Sequence, residues 1–260
     1  MNNKLIKFTF IFLLISIVDA QWESRTAFTI EKGRKEIGLL SPLRIGLQNG
    51  SELVINKFLL MPNISIKQGR PAFNQWSMAQ RFQIEYPSLG MKWLQSPLGM
   101  ELGDPNMFAL ISPEFNIPQM LSFYTEIIGT TGSITNGRLT LNGGIGFSLN
   151  GKDLSDDATI DLPIIYPRLS IYYNQILVKM GGEYNKQITD KISYLIDYDM
   201  YLMPNGRGRY AFEQKGLIAW ERTEKFRILF GYKLIAGEYP FGTQAHFLPL
   251  LDLQFGRSFI

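Results

Sequence analysis

The side chains that could do chemistry in this 260-residue chain are few, because it has no cysteine and a single histidine, His246. Without cysteine, a disulfide framework, a thiolate nucleophile and a cysteine-ligated metal site are all excluded. One histidine also cannot supply a multi-histidine metal site. We therefore expect no metal site and no cofactor, and any imidazole chemistry would depend on His246.

His246 precedes the last predicted strand and has two interpretations. Paired with a nearby serine in a barrel wall, it would serve a lipid hydrolase or deacylase as part of a catalytic pair. The surrounding Gln244-Ala245-His246-Phe247 contains no such motif, and no serine stands two residues away. We favour a loop or interface histidine without a catalytic role. The sequence thus predicts no catalytic residue, and His246 is a catalytic candidate only if the chain is a lipid-modifying enzyme.

A second group of candidates consists of charged side chains on predicted strands. Asp197 and Asp199 share one face, where they could provide general acid–base chemistry or ion selectivity. Because both charge signs occur on such faces, ion pairs that stabilise a barrel interior are the alternative that we favour. The candidate interior charges are Asp197, Asp199, Glu213, Lys215, Arg227, Lys233 and Asp252.

The elements that must position these residues show alternation of apolar and polar side chains. In 138–150 the apolar members are Leu139, Leu141, Ile145, Phe147 and Leu149, and the residues between them are mostly polar or glycine. Segments 191–203 and 225–236 alternate in the same way. A period of two is typical of strands and not of helices.

Further strands are predicted along most of the chain, and several are joined by short turns. Asn49-Gly50 and Asn136-Gly137 are strong hairpin signals. Connections this short make consecutive strands antiparallel neighbours. Segment 69–106 lacks sustained alternation and contains four prolines, so it is predicted to be one long loop, with short helical turns expected at 75–86 and 89–94. The remaining predicted strands are 35–47, 51–59, 62–67, 107–116, 119–128, 159–173, 175–185, 209–221 and 247–259.

Residues 1–20 are predicted to be a cleaved secretory signal peptide. Two lysines precede an apolar run at 8–18, and Val18-Asp19-Ala20 offers a small-residue cleavage site. The alternative, an uncleaved anchor, would need about 20 apolar residues to span a bilayer. An exported chain without cysteine fits a bacterial envelope. Residues 21–260 would then form a single domain.

Three features favour a transmembrane barrel over a soluble sandwich. Several strands are predicted to be longer than the roughly 5–6 residues usual in soluble sheets, and they match the roughly 9–11 needed to cross a membrane at a tilt. One face is almost entirely apolar, and the other is small, polar or charged. Aromatic residues often stand near strand ends. At roughly 20 residues per strand and connection, the fold class is an all-β, antiparallel up-and-down transmembrane barrel of about 12 strands (10–14).

The last segment carries a family resemblance. Leu251, Leu253, Phe255 and Phe259 alternate on one face of 248–260. This resembles the C-terminal signature strand of Gram-negative outer-membrane β-barrels, which the barrel-assembly machinery reads, although that pattern normally ends in an aromatic residue and this chain ends in Ile260. Segments 38–47 and 62–67 resemble poorly characterised outer-membrane barrels of Bacteroidetes-type bacteria. The resemblance implies an outer-membrane location and brings no activity motif.

The predicted function is therefore a non-enzymatic integral outer-membrane protein, acting as a small pore, a transport component or a structural envelope protein. The alternatives are a barrel-embedded lipid-modifying enzyme that uses His246, and a soluble periplasmic lipid-binding β-protein. The expected partners are outer-membrane lipid and the barrel-assembly machinery, and the oligomeric state is left open. A net charge of +3, from 26 basic and 23 acidic residues, does not indicate a nucleic-acid partner.

Overall fold

The computed structural model describes residues 25–96, 111, 116–149, 154, 162–205, 208–223 and 225–258. The predicted signal peptide and Phe259 lie outside these ranges. The described residues form twelve strands in one closed sheet, in which each strand pairs antiparallel with its neighbours along the chain and β1 pairs with β12. The strands are β1 (Arg34–Gly38), β2 (Leu43–Gly46), β3 (Ser51–Asn56), β4 (Asn63–Phe73), β5 (Trp76–Glu85), β6 (Leu121–Ser133), β7 (Gly137–Leu149), β8 (Ile176–Thr189), β9 (Ile192–Leu202), β10 (Tyr210–Thr223), β11 (Phe226–Tyr239) and β12 (Gly242–Ser258).

The alternation predicted from the sequence separates the two faces of this wall. On β4, Ile64 and Ile66 are exposed on the outside, whereas Ser65 and Lys67, which alternate with them, are buried. Because successive strand residues point to opposite faces, the apolar set faces outward and the polar set faces inward. The predicted fold class, a closed up-and-down transmembrane barrel of about twelve strands, is confirmed.

The two ends of the barrel differ in their connections. We call the end that holds Arg34 and Ser258 the terminal end, and the opposite one the loop end. The terminal end has only short turns, at 47–50, 74–75, 134–136, 190–191 and 224–225. The loop end has the long connections, at 86–120 and 150–175, together with shorter ones at 39–42, 57–62, 203–209 and 240–241.

Two helices lie in the described parts of the long connections, α1 (Pro87–Gln95) and α2 (Tyr166–Asn174), and a 3-10 turn, Pro163–Ile165, leads into α2. The strand predicted at 159–173 is therefore wrong in its described part. Pro163 and Pro167 each stand in the first turn of a helix, where a missing N–H costs nothing. Among the described residues, no helix is both long and apolar enough to cross a membrane.

The predicted loop at 69–106 is also corrected. Its first part completes β4 and forms β5, which pairs with β4 across a two-residue turn and with β6 on its other side. The expected helical turns at 75–86 are this strand, whereas those at 89–94 fall within α1. Residues 97–106 and most of the strand predicted at 107–116 lie outside the described ranges.

Pro249 lies within β12, opposite Tyr232 of β11. The pairing of β12 with β1 extends only from Ser258 to Gln254, so Pro249 lies beyond the end of β1. A proline is tolerated where no ladder partner needs its N–H.

Candidate functional site

The structure places all seven candidate interior charges at buried positions of the wall. They do not form one cluster. Asp197, Asp199, Glu213, Lys215 and Lys233 lie together on β9, β10 and β11, whereas Arg227 and Asp252 belong to a second group near β12.

The centre of the first group is the guanidinium of Arg25, a residue that belongs to no strand of the wall. Arg25 Nη1 lies 3.0 Å from Asp197 Oδ2, and Arg25 Nη2 contacts Asp199 Oδ1. Each carboxylate has a second cation: Lys215 Nζ is 2.9 Å from Asp197 Oδ2, and Lys179 Nζ is 3.3 Å from Asp199 Oδ2. Each of the two aspartates is therefore paired with two cations. This arrangement is typical of an ion-paired interior and not of a general acid–base pair.

Glu213 continues this network toward the loop end. Its carboxylate lies 3.1 Å from Lys233 Nζ and 3.2 Å from Arg168 Nη1 of α2, and it accepts a hydrogen bond from the Tyr201 hydroxyl at 3.1 Å. Arg168 thereby fixes the helix to the wall.

Arg227 and Asp252 form the second group together with polar side chains. Arg227 Nε donates to Gln254 Oε1 at 2.7 Å, and Gln254 Nε2 donates to Asp252 Oδ2 at 2.8 Å. Asp252 also accepts from the Leu40 backbone N–H and from the Ser41 hydroxyl. This group holds β12 to the β1–β2 connection and has no described contact with Arg25.

Residues 25–30 lie inside the barrel at its terminal end, and we call them the N-terminal plug. Their contacts reach several strands around the wall. Lys67 Nζ of β4 donates to the Thr26 and Phe28 carbonyls, at 2.9 and 2.6 Å. The Ala27 N–H donates to Thr130 Oγ1 of β6, and the Ile30 N–H donates to Glu52 of β3.

Lys67 is itself part of a buried ladder of charges. Glu52 Oε1 lies 2.9 Å from Lys67 Nζ, and Glu52 Oε2 lies 2.7 Å from Arg44 Nη2. Arg44 Nη1 then pairs with Glu36 at 2.8 Å. The plug is thus held by hydrogen bonds between its main chain and side chains of the wall. Two of these side chains, Lys67 and Glu52, also form an ion pair with each other.

The loop end is closed by α2 and by a mainly apolar core, which we call the loop-end core. Along α2 all residues except Arg168 are buried, so the helix is enclosed on nearly every side. The Tyr172 hydroxyl contacts Ser122 and Glu85, and burial raises the pKa of Tyr172 above its ordinary value, so it stays a proton donor. The core includes Leu60, Met61, Met91, Leu94, Ile117, Met120, Leu162, Ile165, Leu169 and Tyr172.

Between the two closures lies a polar cavity of about 130 Å³. Arg25, Arg81, Tyr124, Glu126, Asp197 and Asp199 are among the residues that line it. Arg81 and Glu126, which are register partners on the adjacent strands β5 and β6, form an ion pair at 2.7 Å in its lining. No group of three or more histidine, aspartate or glutamate side chains in the described ranges is arranged to hold a metal ion. The arrangement can hold a small polar or charged solute.

His246 stands apart from the cavity, opposite Ile235 on the β11–β12 hairpin. Its ring lies 6.0 Å from that of Tyr166, and its Nε2 is buried with no hydrogen-bond partner among the described residues. Neither a serine hydroxyl nor a carboxylate contacts this nitrogen in the described chain, so the structure brings no catalytic pair together at His246.

Leu251, Leu253 and Phe255, predicted as an assembly signal, lie on one face of β12, and Leu251 and Phe255 are exposed on the outer surface. Several site residues were not predicted from the sequence, of which Arg25, Lys67 and Arg168 are central. Arg25 and Arg168 lie outside the strands, so alternation could not reveal them. Lys67 carried a usable signal, because it alternates with Ile64 and Ile66 at the end of a predicted strand.

No protein-family model matches the chain, and no curated protein sequence matches it. Solved structures that are similar in fold include the NanC porin and LpxR. The NanC porin, in a rhombohedral crystal form, has 12% sequence identity and a TM-score of 0.49, with 87% of this chain and 98% of that chain covered. LpxR from Salmonella typhimurium has 8% identity and a TM-score of 0.45, with 86% and 90% covered. At this level of similarity, a function has to be argued from this chain's own residues.

Proposed function

We propose that the chain is a non-enzymatic integral outer-membrane protein that acts as a transport component, with its lumen closed in the conformation described. The observation that carries this proposal is the charged cavity between the N-terminal plug and the loop-end core. A barrel that served only as structure could fill this space with packed apolar side chains instead. Buried ion pairs are costly to desolvate, and apolar packing of equal volume is often as stable or more stable. Binding of a polar solute explains why charged side chains line this cavity in place of apolar ones.

The placement in the outer membrane rests on the outer face of the wall. Its exposed side chains include Ile64, Ile66, Phe82, Ile145, Phe147, Phe230, Leu251 and Phe255. A continuous apolar exterior around a polar interior is suited to lipid and unsuited to the aqueous periplasm. Outer-membrane lipid along this face, the barrel-assembly machinery acting on the C-terminal strand, and export by a cleaved signal peptide belong to the same proposal.

Membrane placement is tested by fractionation and heat-modifiable migration of the extracted protein. We expect the protein in the outer-membrane fraction, with a folded band that shifts on boiling. Recovery in the soluble periplasmic fraction would contradict the placement and favour the soluble alternative.

The transport role is tested by conductance in planar lipid bilayers. We expect the wild-type protein to stay closed, and a variant that lacks residues 25–30 to give brief openings when the loop-end core, the remaining closure, opens locally. Steady conductance of the wild type would show that the plug does not close the lumen. Silence of both proteins would leave a structural role in place of transport.

The enzymatic alternative has its own test. We expect His246→Ala to leave the lipid A and phospholipid profiles of the outer membrane unchanged, because no described group activates the imidazole. A change in either profile would favour the lipid-modifying enzyme over the transport component.

A further inference from the structure

We propose that Asp197 and Asp199 form a recognition site for a small solute that carries a guanidinium group, and that Arg25 occupies this site as an internal ligand in the closed state. The proposal deepens the transport role above and rests on it for its biological meaning. Binding itself can be measured whether or not the barrel conducts.

The first argument is the fit between the occupant and the site. Two nitrogens of the Arg25 guanidinium each contact a different carboxylate, and Nη2 also donates to Asn142 Oδ1 at 3.5 Å. A guanidinium presents its N–H groups in a fixed plane, so it can bridge two carboxylates in a way that a compact ammonium group cannot. The site therefore discriminates by geometry as well as by charge.

The second argument is that the wall itself forms the site. Asp197 and Asp199 pair with Lys215 and Lys179, which lie on neighbouring strands, so the carboxylates keep partners when Arg25 leaves. Gly181 also leaves room for the converging oxygens. A Cβ at this position would lie 2.2 Å from Asp199 Oδ1 and 2.9 Å from Asn142 Oδ1. The glycine thus keeps open the space where two of the site oxygens meet.

The third argument is that the occupant belongs to a separable element. Arg25 is part of the plug and not of the barrel wall, and it borders the central cavity of about 130 Å³. A second cavity, of about 380 Å³, lies at the terminal end beside Phe28, Thr29 and Ile30. A solute that entered from this end would meet the plug first and then the aspartates.

The test uses an Arg25→Ala variant of the full chain, folded in detergent, with methylguanidinium chloride as the probe. We expect methylguanidinium to raise the midpoint of heat-induced loss of the folded band by roughly 5–10 °C at about a hundred times its Kd. Methylammonium at the same concentration should give a clearly smaller shift. The wild type should not shift, because Arg25 already fills the site. No shift in the variant, or equal shifts with both cations, would overturn the proposal.

Matched carboxylate variants locate the site. Asp199→Asn added to Arg25→Ala should abolish the methylguanidinium shift. Asp252→Asn added to the same background should preserve it, because Asp252 is a buried carboxylate of the separate group near β12. A shift that survives Asp199→Asn would place binding elsewhere and refute the assignment.

A labelling experiment keeps the proposal testable if Arg25→Ala does not fold. The chain has no cysteine, so Ala27→Cys introduces a single thiol on the plug, at a residue that is only 5% exposed. A tethered ligand competes with an effective concentration in the millimolar range. Methylguanidinium at about 100 mM is well above this effective concentration, so we expect it to raise the maleimide labelling rate several-fold. Methylammonium at the same concentration should raise the rate less. An unchanged rate would overturn the proposal.

These outcomes separate the two proposals. Selective binding in a barrel that never conducts would remove the transport role and keep the site. Conductance on removal of the plug, without selective binding of methylguanidinium, would keep transport and remove the site.

Discussion

The two closures of the lumen are built from different kinds of contact. The loop-end core joins α1, α2 and the intervening connections through buried Leu, Ile, Met and Tyr side chains. The N-terminal plug is held by hydrogen bonds that Lys67 donates, by one that the Ala27 N–H donates to Thr130, and by the ion pairs of Arg25. Ala27 also lies in a small apolar cluster beside Ala79 and Ile128. Both closures fill the lumen, but only the first resembles the core of a soluble domain.

This difference determines which closure can be exchanged for a ligand. Apolar contacts have no substitute in water, so the loop-end core is stable only when it stays packed. When the plug is released, its hydrogen bonds and ion pairs are replaced by bonds to water. Their net contribution to the stability of the closed state is therefore small compared with their strength in the absence of water. The plug can therefore leave at moderate cost, provided that another cation takes the place of Arg25.

The largest effect is expected when the charge that holds the plug is removed. In Lys67→Met the plug carbonyls lose their donor, and Glu52 keeps Arg44 as its other close cation. Breaking a buried pair on one side costs about 3–5 kcal/mol. We expect a loss of this size in urea unfolding, together with faster proteolysis at residues 25–30. Lys32→Met, at an exposed lysine near the plug, should change neither. A stable variant with a protected plug would show that the plug does not depend on Lys67.

The counterpart in the loop-end core is Met91→Ala, which removes a fully buried side chain of α1. A large-to-small change in a core costs about 2–5 kcal/mol. We expect this loss of stability without greater proteolysis at residues 25–30, because the hydrogen bonds and ion pairs that hold the plug run to strands of the wall and not to α1. Leu89→Ala, on the same helix at a residue that is 69% exposed, should stay within about 0.5 kcal/mol of the wild type. Release of the plug by Met91→Ala would mean that the closures are coupled.

The wall was more predictable from the sequence than the two closures. A strand that separates lipid from a polar interior imposes a local period of two, and β7 with its five alternating apolar residues carries that signal by itself. The same period placed Asp197, Asp199, Glu213 and Lys215 on the inner face. Which charges meet depends on strand register and on elements from elsewhere, so Arg25 and Arg168 could not be assigned as their partners.

The errors have specific physical causes. In β5 the outward face carries Gln80 among Met78, Phe82 and Ile84, which weakens the contrast between faces, and nearby prolines suggested a loop. In α2 burial on nearly every side removes the amphipathic period by which a helix is recognised. The plug has no period at all, since its main chain makes many of its contacts. The conformation of a segment that fills a barrel is determined by its contacts with the barrel. Sequence periodicity reveals only those segments that have an apolar face and a polar face.

A smaller effect is expected at the base of the plug. Gly46 of β2 lies so close to the chain that a Cβ would be 1.9 Å from the Glu31 carbonyl oxygen. Gly46→Ala must therefore shift residue 31, at a cost of about 1–3 kcal/mol for overpacking. We expect this loss of stability in urea unfolding. When Gly46→Ala is combined with Ala27→Cys, we expect partial maleimide labelling of the thiol. Gly69→Ala is the control, because a Cβ there meets one backbone oxygen at an ordinary 3.4 Å. Equal behaviour of the two variants would indicate that the plug is not seated against Gly46.

The smallest effect is expected at the loop end, from His246→Phe. The histidine has a buried nitrogen without a partner among the described residues, and its ring lies in an aromatic environment with Tyr166. Removing an unsatisfied polar atom while keeping an aromatic ring is nearly neutral or slightly stabilising. We expect the free energy of unfolding to change by less than about 1 kcal/mol, with plug proteolysis and bilayer conductance unchanged. A large loss of stability would show that His246 has a polar partner that matters for the fold. Altered conductance would instead show that the loop end also controls passage, and that the plug is not the only movable closure.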